Sequence, residues 1–258
     1  MSDRFIKIHD NIDKILTRSG GLPRGHLIEF YGPDGEGKST FALLCIAAAQ
    51  AQGIQCGLVD VEDSFVPEYA EHYGVCVEKL EHYIPDSGEE ALNRAIKMCE
   101  EGYGLVVIDS VAGLVPESSV GEEVETGGQY APIASLLSRA LPKLRRQARL
   151  GNTCVLLLNQ VRANIQRFGM GPATTSSSGY ALKHFTSARF EIRKISWIKQ
   201  GTEVIGYNIK IRAPKKNRLA VPNRDGTLEI ICDMDAPPLE EINKRKQKKI
   251  EPITFKEE

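Results

Sequence analysis

No apolar run in this chain approaches the roughly 20 residues needed to cross a bilayer, and Met1-Ser2-Asp3-Arg4 lacks the apolar segment of a signal peptide. A cytoplasmic protein with no membrane partner is the expectation. The six cysteines (Cys45, Cys56, Cys76, Cys99, Cys154 and Cys232) include no Cys-x-x-Cys pair, and most stand among apolar residues. They read as reduced core side chains rather than metal ligands or disulfides. A surplus of charge is missing too, since 33 Lys and Arg face 34 Asp and Glu. Net charge therefore does not advertise nucleic acid, and any such surface must be a local patch. No internal repeat is visible. What remains is a soluble composition and 258 residues, enough for one large α/β domain or two small ones.

The stretch that organises the chain is Gly32-Pro33-Asp34-Gly35-Glu36-Gly37-Lys38-Ser39. It fits the phosphate-loop pattern G-x-x-x-x-G-K-[ST] and sits between an apolar run, His26 to Tyr31, and a helix-like one, Thr40 to Gln52. Glycines let the backbone curl so that successive N–H groups point at phosphate oxygens. The new helix offers its positive end to the same anion. Lys38 can reach the outer phosphates and Ser39 can donate its hydroxyl to a magnesium ion. The pattern predicts binding of a nucleoside triphosphate, ATP, with Mg2+.

Other elements follow in order. Phe5-Ile6-Lys7-Ile8 alternates like a strand with no hairpin partner nearby, Asn11 to Leu16 is helix-like, and Gly20 to Gly25 is a turn. Cys56 to Asp60, Leu105 to Ser110 and Val155 to Asn159 read as buried strands. Helices are expected over Pro67–Tyr73, from an Asp86 or Ser87 cap onwards, and from about Pro132 to Leu150. Strands alternating with helices imply a mostly parallel central sheet covered on both faces. Longer strands over Phe190–Trp197, Val204–Ile211 and Thr227–Cys232 suggest antiparallel additions on the C-terminal side. The expected division is a segment over 1–25, an ATPase core over 26–236, and a charged tail over 237–258.

Three strand ends carry candidate chemistry. Asp109 can hold magnesium directly or through water; it can also be a helix cap. Glu62 can orient a water beside the γ-phosphate, or Glu62 or Asp63 can cap the following helix. Asn159-Gln160 can touch phosphate at the carboxyl end of its strand, or form a polar turn.

Those elements, in that order and spacing, resemble the RecA family of homologous recombinases, from about residue 5 to about residue 235. The resemblance rests on Gly20 to Gly25 with Ile28 to Pro33, on Val59-Asp60-Val61-Glu62, and on Val107 to Ala112. Leu157 to Arg162 and Ala181-Leu182-Lys183 with Ala188-Arg189 complete it. It implies a RecA-like core without the family's C-terminal domain. Residue by residue, it implies that Lys38 and Ser39 hold phosphate and metal, Asp109 supports the metal, Glu62 activates water and Gln160 senses the γ-phosphate. Tyr69 would stack on adenine. Lys216 and Arg218 would reach a neighbouring subunit's ATP, and Phe5–Ile8 would join the neighbour's sheet in a filament.

For DNA, the stretch from Arg162 to Lys183 is long for a loop in a compact domain. Arg162, Arg167 and Lys183 around Phe168 suit a single strand, with cations on phosphates and an aromatic face at bases. Thr174, Thr175, Ser177, Ser178 and Gly179 can add phosphate contacts. Gly121 to Tyr130 resembles the family's first DNA loop, with Gln129 or Tyr130 as the inserted side chain. Its Glu122, Glu123 and Glu125 depart from that pattern, being acidic. Lys143, Arg145, Arg146 and Arg149 spread round a helix like a solvated face. The resemblance implies a DNA-dependent ATPase that assembles on single-stranded DNA and pairs it with duplex. The alternatives are a nucleotide-switched accessory protein of the superfamily and a ring helicase motor.

Overall fold

A computed structural model describes residues 4–119, 130–163, 174–176, 179–214, 217–220 and 222–233. In chain order the elements are β1 (Phe5–Ile6), α1 (Asp10–Leu16), β2 (Leu22–Pro23), β3 (Leu27–Gly32), α2 (Lys38–Ala51), β4 (Cys56–Asp60) and α3 (Pro67–His72). There follow β5 (Leu80–Tyr83), α4 (Gly88–Glu100), β6 (Leu105–Asp109), α5 (Tyr130–Leu150), β7 (Cys154–Ala163) and β8 (Thr174–Ser176). The last are α6 (Gly179–Phe185), β9 (Ala188–Gln200), β10 (Glu203–Arg212) and β11 (Asp225–Ile231).

The main sheet runs β11-β10-β9-β3-β7-β6-β4-β5. From β9 to β5 every pair is parallel, and β10 and β11 extend it antiparallel. The mostly parallel α/β fold with antiparallel strands on the C-terminal side is the one the sequence implies. One detail differs: β9 is not an antiparallel addition but lies parallel to β3, with Phe30 opposite Phe190. Helix α6 supplies the crossover that parallel pairing needs. β5 carries no strong strand signal, its pattern being half-exposed at the sheet edge.

Period-two alternation distributes each central strand to two cores. Leu105 and Val107 of β6, with Leu156 and Leu158 of β7, pack under α2 on one face. Val106, Ile108, Val155 and Leu157 point to α4 and α5 on the other. Helix α4 begins at a Ser87 cap whose side chain accepts from the Glu90 N–H, as its sequence indicates. Helix α5 buries Leu137, Leu141, Leu144 and Ala148, leaving Lys143, Arg145, Arg146 and Arg149 exposed. That basic run is a solvated face.

The N-terminal strand is paired within this chain. Phe5 and Ile6 have a partner within their own chain, pairing antiparallel with Pro23 and Leu22. Ile6 is buried in the core beneath α2. The short α1 between the strands brings the two runs together, which local spacing alone does not reveal. No helix among the described residues is long and apolar enough to cross a membrane.

Phe30 sits at the centre, 5.0 Å edge-on from Phe41 and 5.3 Å in a stack with Phe190. It clamps β3, α2 and β9, the elements that carry or brace the phosphate loop. Phe30→Ala is expected to cost about 3–5 kcal/mol through lost burial and a residual cavity, read from urea unfolding. A loss under about 1 kcal/mol would show that this junction collapses freely.

Candidate nucleotide site

The carboxyl ends of parallel strands are where an α/β sheet places ligands, and here β3, β4, β6 and β7 converge on one cleft. Gly32 ends β3, and a Cβ there would come within 2.3 Å of the Ile192 carbonyl oxygen. A side chain would prise β9 from the loop. Gly37 precedes α2 at φ +87°, a left-handed conformation that favours glycine. Between them, the Gly35 N–H donates to Asp34 Oδ1 at 2.9 Å, and the Glu36 carboxylate accepts from the Lys194 N–H of β9. The loop is thus tied to the sheet at its flank.

Lys38 and Ser39 open α2. The Lys38 ammonium donates to the Pro33 carbonyl at 2.6 Å. Burial lowers its pKa, while Asp34, Asp109, Glu62 and Glu36 oppose that shift. Asp109, at the end of β6, is bonded by the Ser39 hydroxyl. Burial, with help from Glu62 and Asp60 and against the lowering effect of Ser39 and Lys38, pushes its pKa up to about 6. A buried carboxylate resisting ionisation beside a hydroxyl fits a hard divalent cation. Among the described residues no cluster of three or more His, Cys, Asp or Glu side chains could hold a metal alone. Mg2+ needs none, because it keeps waters and shares ligands with phosphates.

Glu62 lies just past β4. Its Oε1 accepts from Ser110 Oγ and, at 3.3 Å, from Gln160 Nε2. Asp34, Gly35, Gly37, Lys38, Ser39, Thr40, Glu62, Asp109, Gln160 and Tyr207 together line one cavity of about 240 Å³. Sequence reasoning reached all of these but Tyr207. That side chain stands on β10, and a Cβ on Gly37 would be 3.0 Å from its ring. Its hydroxyl donates to Thr40 Oγ1 at 3.3 Å, and burial pushes its pKa up to about 12. The Lys194 ammonium stands 4.2 Å from the Tyr207 ring centroid and 4.6 Å from that of Trp197. No motif marks Tyr207; only the register that sets it opposite Trp197 does.

Other expected residues do not line that cavity, although Tyr69 lines the one beside it with Ser39 and Asp109. Asn159 does not face the cleft: it is buried, donating to Glu29 Oε1 at 2.8 Å, and Arg189 pairs with the same carboxylate. Tyr69 lies on α3, its hydroxyl sharing a 2.9 Å hydrogen bond with Thr40 Oγ1 and its ring 4.9 Å edge-on from Tyr73. Arg218 is exposed on a turn held by Asn217, whose Nδ2 donates to the Arg189 carbonyl at 2.9 Å.

The stretch expected to be one long loop begins on a strand and ends on a helix. β7 runs on to Arg162 and Ala163, which pair antiparallel with Thr175 and Thr174 of β8. Gly179 opens α6, and Lys183 is exposed on it. Tyr130 is the first residue of α5. Gln129, Arg167, Phe168, Ser177, Ser178, Lys216 and the tail beyond Asp233 lie outside the described residues.

A loop between a central parallel strand and its helix, faced by carboxylates at neighbouring strand ends, defines a phosphate-loop α/β core. Comparison with known proteins places it more narrowly. Residues 10–235 match the RecA N-terminal domain. The chain is 37% identical over 225 residues to Protein RecA of Acinetobacter baumannii and of Acinetobacter baylyi, covering 86% of this chain and 63% of theirs. It is 38% identical over 214 residues to Protein RecA of Ectopseudomonas oleovorans, covering 82% of this chain and 60% of that one. The chain belongs to the RecA family, and it spans about three fifths of the length of those relatives.

The electrostatics give a testable sign. The folded pKa of Asp109 lies above its ordinary value of 3.8, so the folded state holds a proton that the unfolded state has lost. Stability therefore falls as pH rises from about 3.8 towards about 6, and the penalty is complete above that window. Asp109→Asn should raise the stability of the ligand-free protein at pH 7.5 by about 1–3 kcal/mol. The gain should shrink as pH falls through 6 towards 4. Thermal melts across that range check it; a gain independent of pH would contradict the assignment.

Proposed function

We propose that the chain is an ATP-hydrolysing recombinase core that assembles head to tail on single-stranded DNA and pairs it with homologous duplex DNA. The observation that supports this most is the Glu62 carboxylate, held by Ser110 and Gln160 at the rim of the cavity formed by the phosphate loop and Asp109. A carboxylate so fixed can orient water for in-line attack on a γ-phosphate, and so accept its proton. Backbone N–H groups of residues 34–38 and the Lys38 ammonium would bind the phosphates, whose charge Lys38 would help to neutralise. Ser39 and Asp109 would hold Mg2+, which would stabilise charge on the transferring phosphoryl group. Gln160, bonded to Glu62 and on β7 just before Arg162, would pass the presence of the γ-phosphate towards the Arg162–Lys183 stretch. There Arg162, Arg167, Lys183 and Phe168 would engage the DNA strand. Tyr69 would stack on adenine.

Assembly is part of the reading. Lys216 and Arg218 would complete a neighbour's site, neutralising charge on its phosphates as an arginine finger does. Phe5 and Ile6 pair within their own chain, and the segment they begin would add to the contact with a neighbour through Lys7 and Ile8.

Lys38→Ala is expected to abolish binding of a fluorescent ATP analogue. Glu62→Gln should keep nucleotide affinity while slowing DNA-stimulated hydrolysis about a hundredfold. Arg218→Ala should lose about as much. Because the two defects would lie on opposite sides of one interface, mixing the two inactive variants should restore about a quarter of the wild-type rate. A mixture as inactive as its components would count against a site shared between subunits. Normal hydrolysis by Glu62→Gln would end the water-activation role.

A further inference from the structure

Glu62 is carried by a short exposed turn, of which Val61 and Phe65 pack partly buried against the two cores. The segment from Asp60 to Val66 borders a second cavity, of about 80 Å³, lined also by Ala42, Leu43, Ile46 and Leu58. The turn that carries Glu62 stands beside that cavity. What fastens it is the Asp60 carboxylate, 1% exposed at the last residue of β4. Asp60 Oδ2 accepts from the Ser64 N–H and the Phe65 N–H, each at 2.9 Å. At the other end the Val61 N–H donates to the Asp109 carbonyl at 2.7 Å. The chain is pinned on both sides of Glu62 and loops out between the pins.

A buried carboxylate can act as such a clamp only if its own orientation is fixed and its charge compensated. His82 does both. It stands on the edge strand β5, and its Nε2 lies 3.2 Å from Asp60 Oδ2. Its ring packs on Phe65, the residue whose N–H the same oxygen receives, with centroids 4.6 Å apart. One imidazole thus braces both members of the pin. Neither β5 nor His82 carries any phosphate-loop signature.

We infer that His82 is a positioning residue for hydrolysis, acting through Asp60 to hold the turn that presents Glu62 to the γ-phosphate. It touches no part of the nucleotide, so its removal should leave the ground state bound and impair the step that needs Glu62 in register. A displacement of about 1 Å is enough to cost a large rate factor in such a step. The inference rests on the proposed role of Glu62.

The test uses the full chain with ATP, Mg2+ and single-stranded DNA. His82→Ala and His82→Asn, whose amide is too short to reach Asp60, should lower kcat about tenfold while nucleotide affinity stays within about twofold. His82→Gln puts an amide nitrogen close to the Nε2 position and should recover most of the rate. In a Glu62→Gln background His82→Asn should cost nothing further, because the group it positions is already disabled. Normal hydrolysis by His82→Asn beside a slow Glu62→Gln would overturn this inference and leave the Glu62 role standing. So would a matching fall in nucleotide affinity, or an added loss in the Glu62→Gln background, since both mark a general structural defect. A normal rate for Glu62→Gln itself would overturn both readings.

Discussion

One ammonium, that of Lys38, faces four carboxylates, Asp34, Asp109, Glu62 and Glu36. The rest of the site is arranged around that imbalance. The sheet forces it, because parallel strands β3, β7, β6 and β4 lie in that order, and β3, β6 and β4 each bring an acidic residue at or just past their carboxyl ends to the same cleft. Burial makes the imbalance costly, which is why Asp109 holds its proton up to about pH 6. Mg2+ would offset that cost by favouring the ionised form. The unbalanced charge of the cleft would thus favour binding of metal together with phosphate, and the Ser39 hydroxyl on Asp109 marks where the metal would sit.

The same imbalance explains which parts of the site were legible in the sequence. A phosphate loop needs glycine where backbone approaches Ile192 and where φ turns positive, so Gly32 and Gly37 announce it. Strands buried on both faces read as unbroken apolar runs, so Cys56–Asp60 and Leu105–Asp109 could be placed almost to the residue, with their terminal acids. What could not be read is whatever depends on register between distant strands. Asn159 and Gln160 are adjacent in sequence, yet alternation along β7 sends the first into the buried Glu29–Arg189 pair and only the second towards Glu62. Tyr207 and His82 reach their partners from β10 and β5, across 167 and 22 residues of chain. No local pattern encodes such contacts.

β9 shows the limit most clearly. A long half-polar strand after a run of parallel ones looks like the start of an antiparallel meander. Whether it joins parallel depends on the connection before it, and here α6 carries the chain across a face so that β9 lies parallel to β3. The consequence reaches the site, because only in this orientation does Ile192 close on Gly32 and the Lys194 N–H reach Glu36. A wrong strand direction in a sequence reading would have moved the floor of the phosphate loop.

The Glu29–Arg189 pair ties these pieces into one rigid unit. Glu29 is fully buried beneath the cleft, and Arg189 reaches it from β9 while lying 4.7 Å from the Tyr31 ring centroid. Asn159 saturates the same carboxylate from β7. Breaking one partner of a buried pair leaves an uncompensated charge, far costlier than the pair is stabilising. The three central strands are therefore locked in relative height by chemistry as well as by ladder hydrogen bonds. The Asn217 side chain then hangs the Arg218 turn on the Arg189 backbone carbonyl. Gln160 on one strand and Arg218 beyond another are consequently referenced to a single fixed network. A site completed by a second copy of the chain, as proposed, would require such a frame, because an error in the height of either strand would be passed to the neighbouring copy.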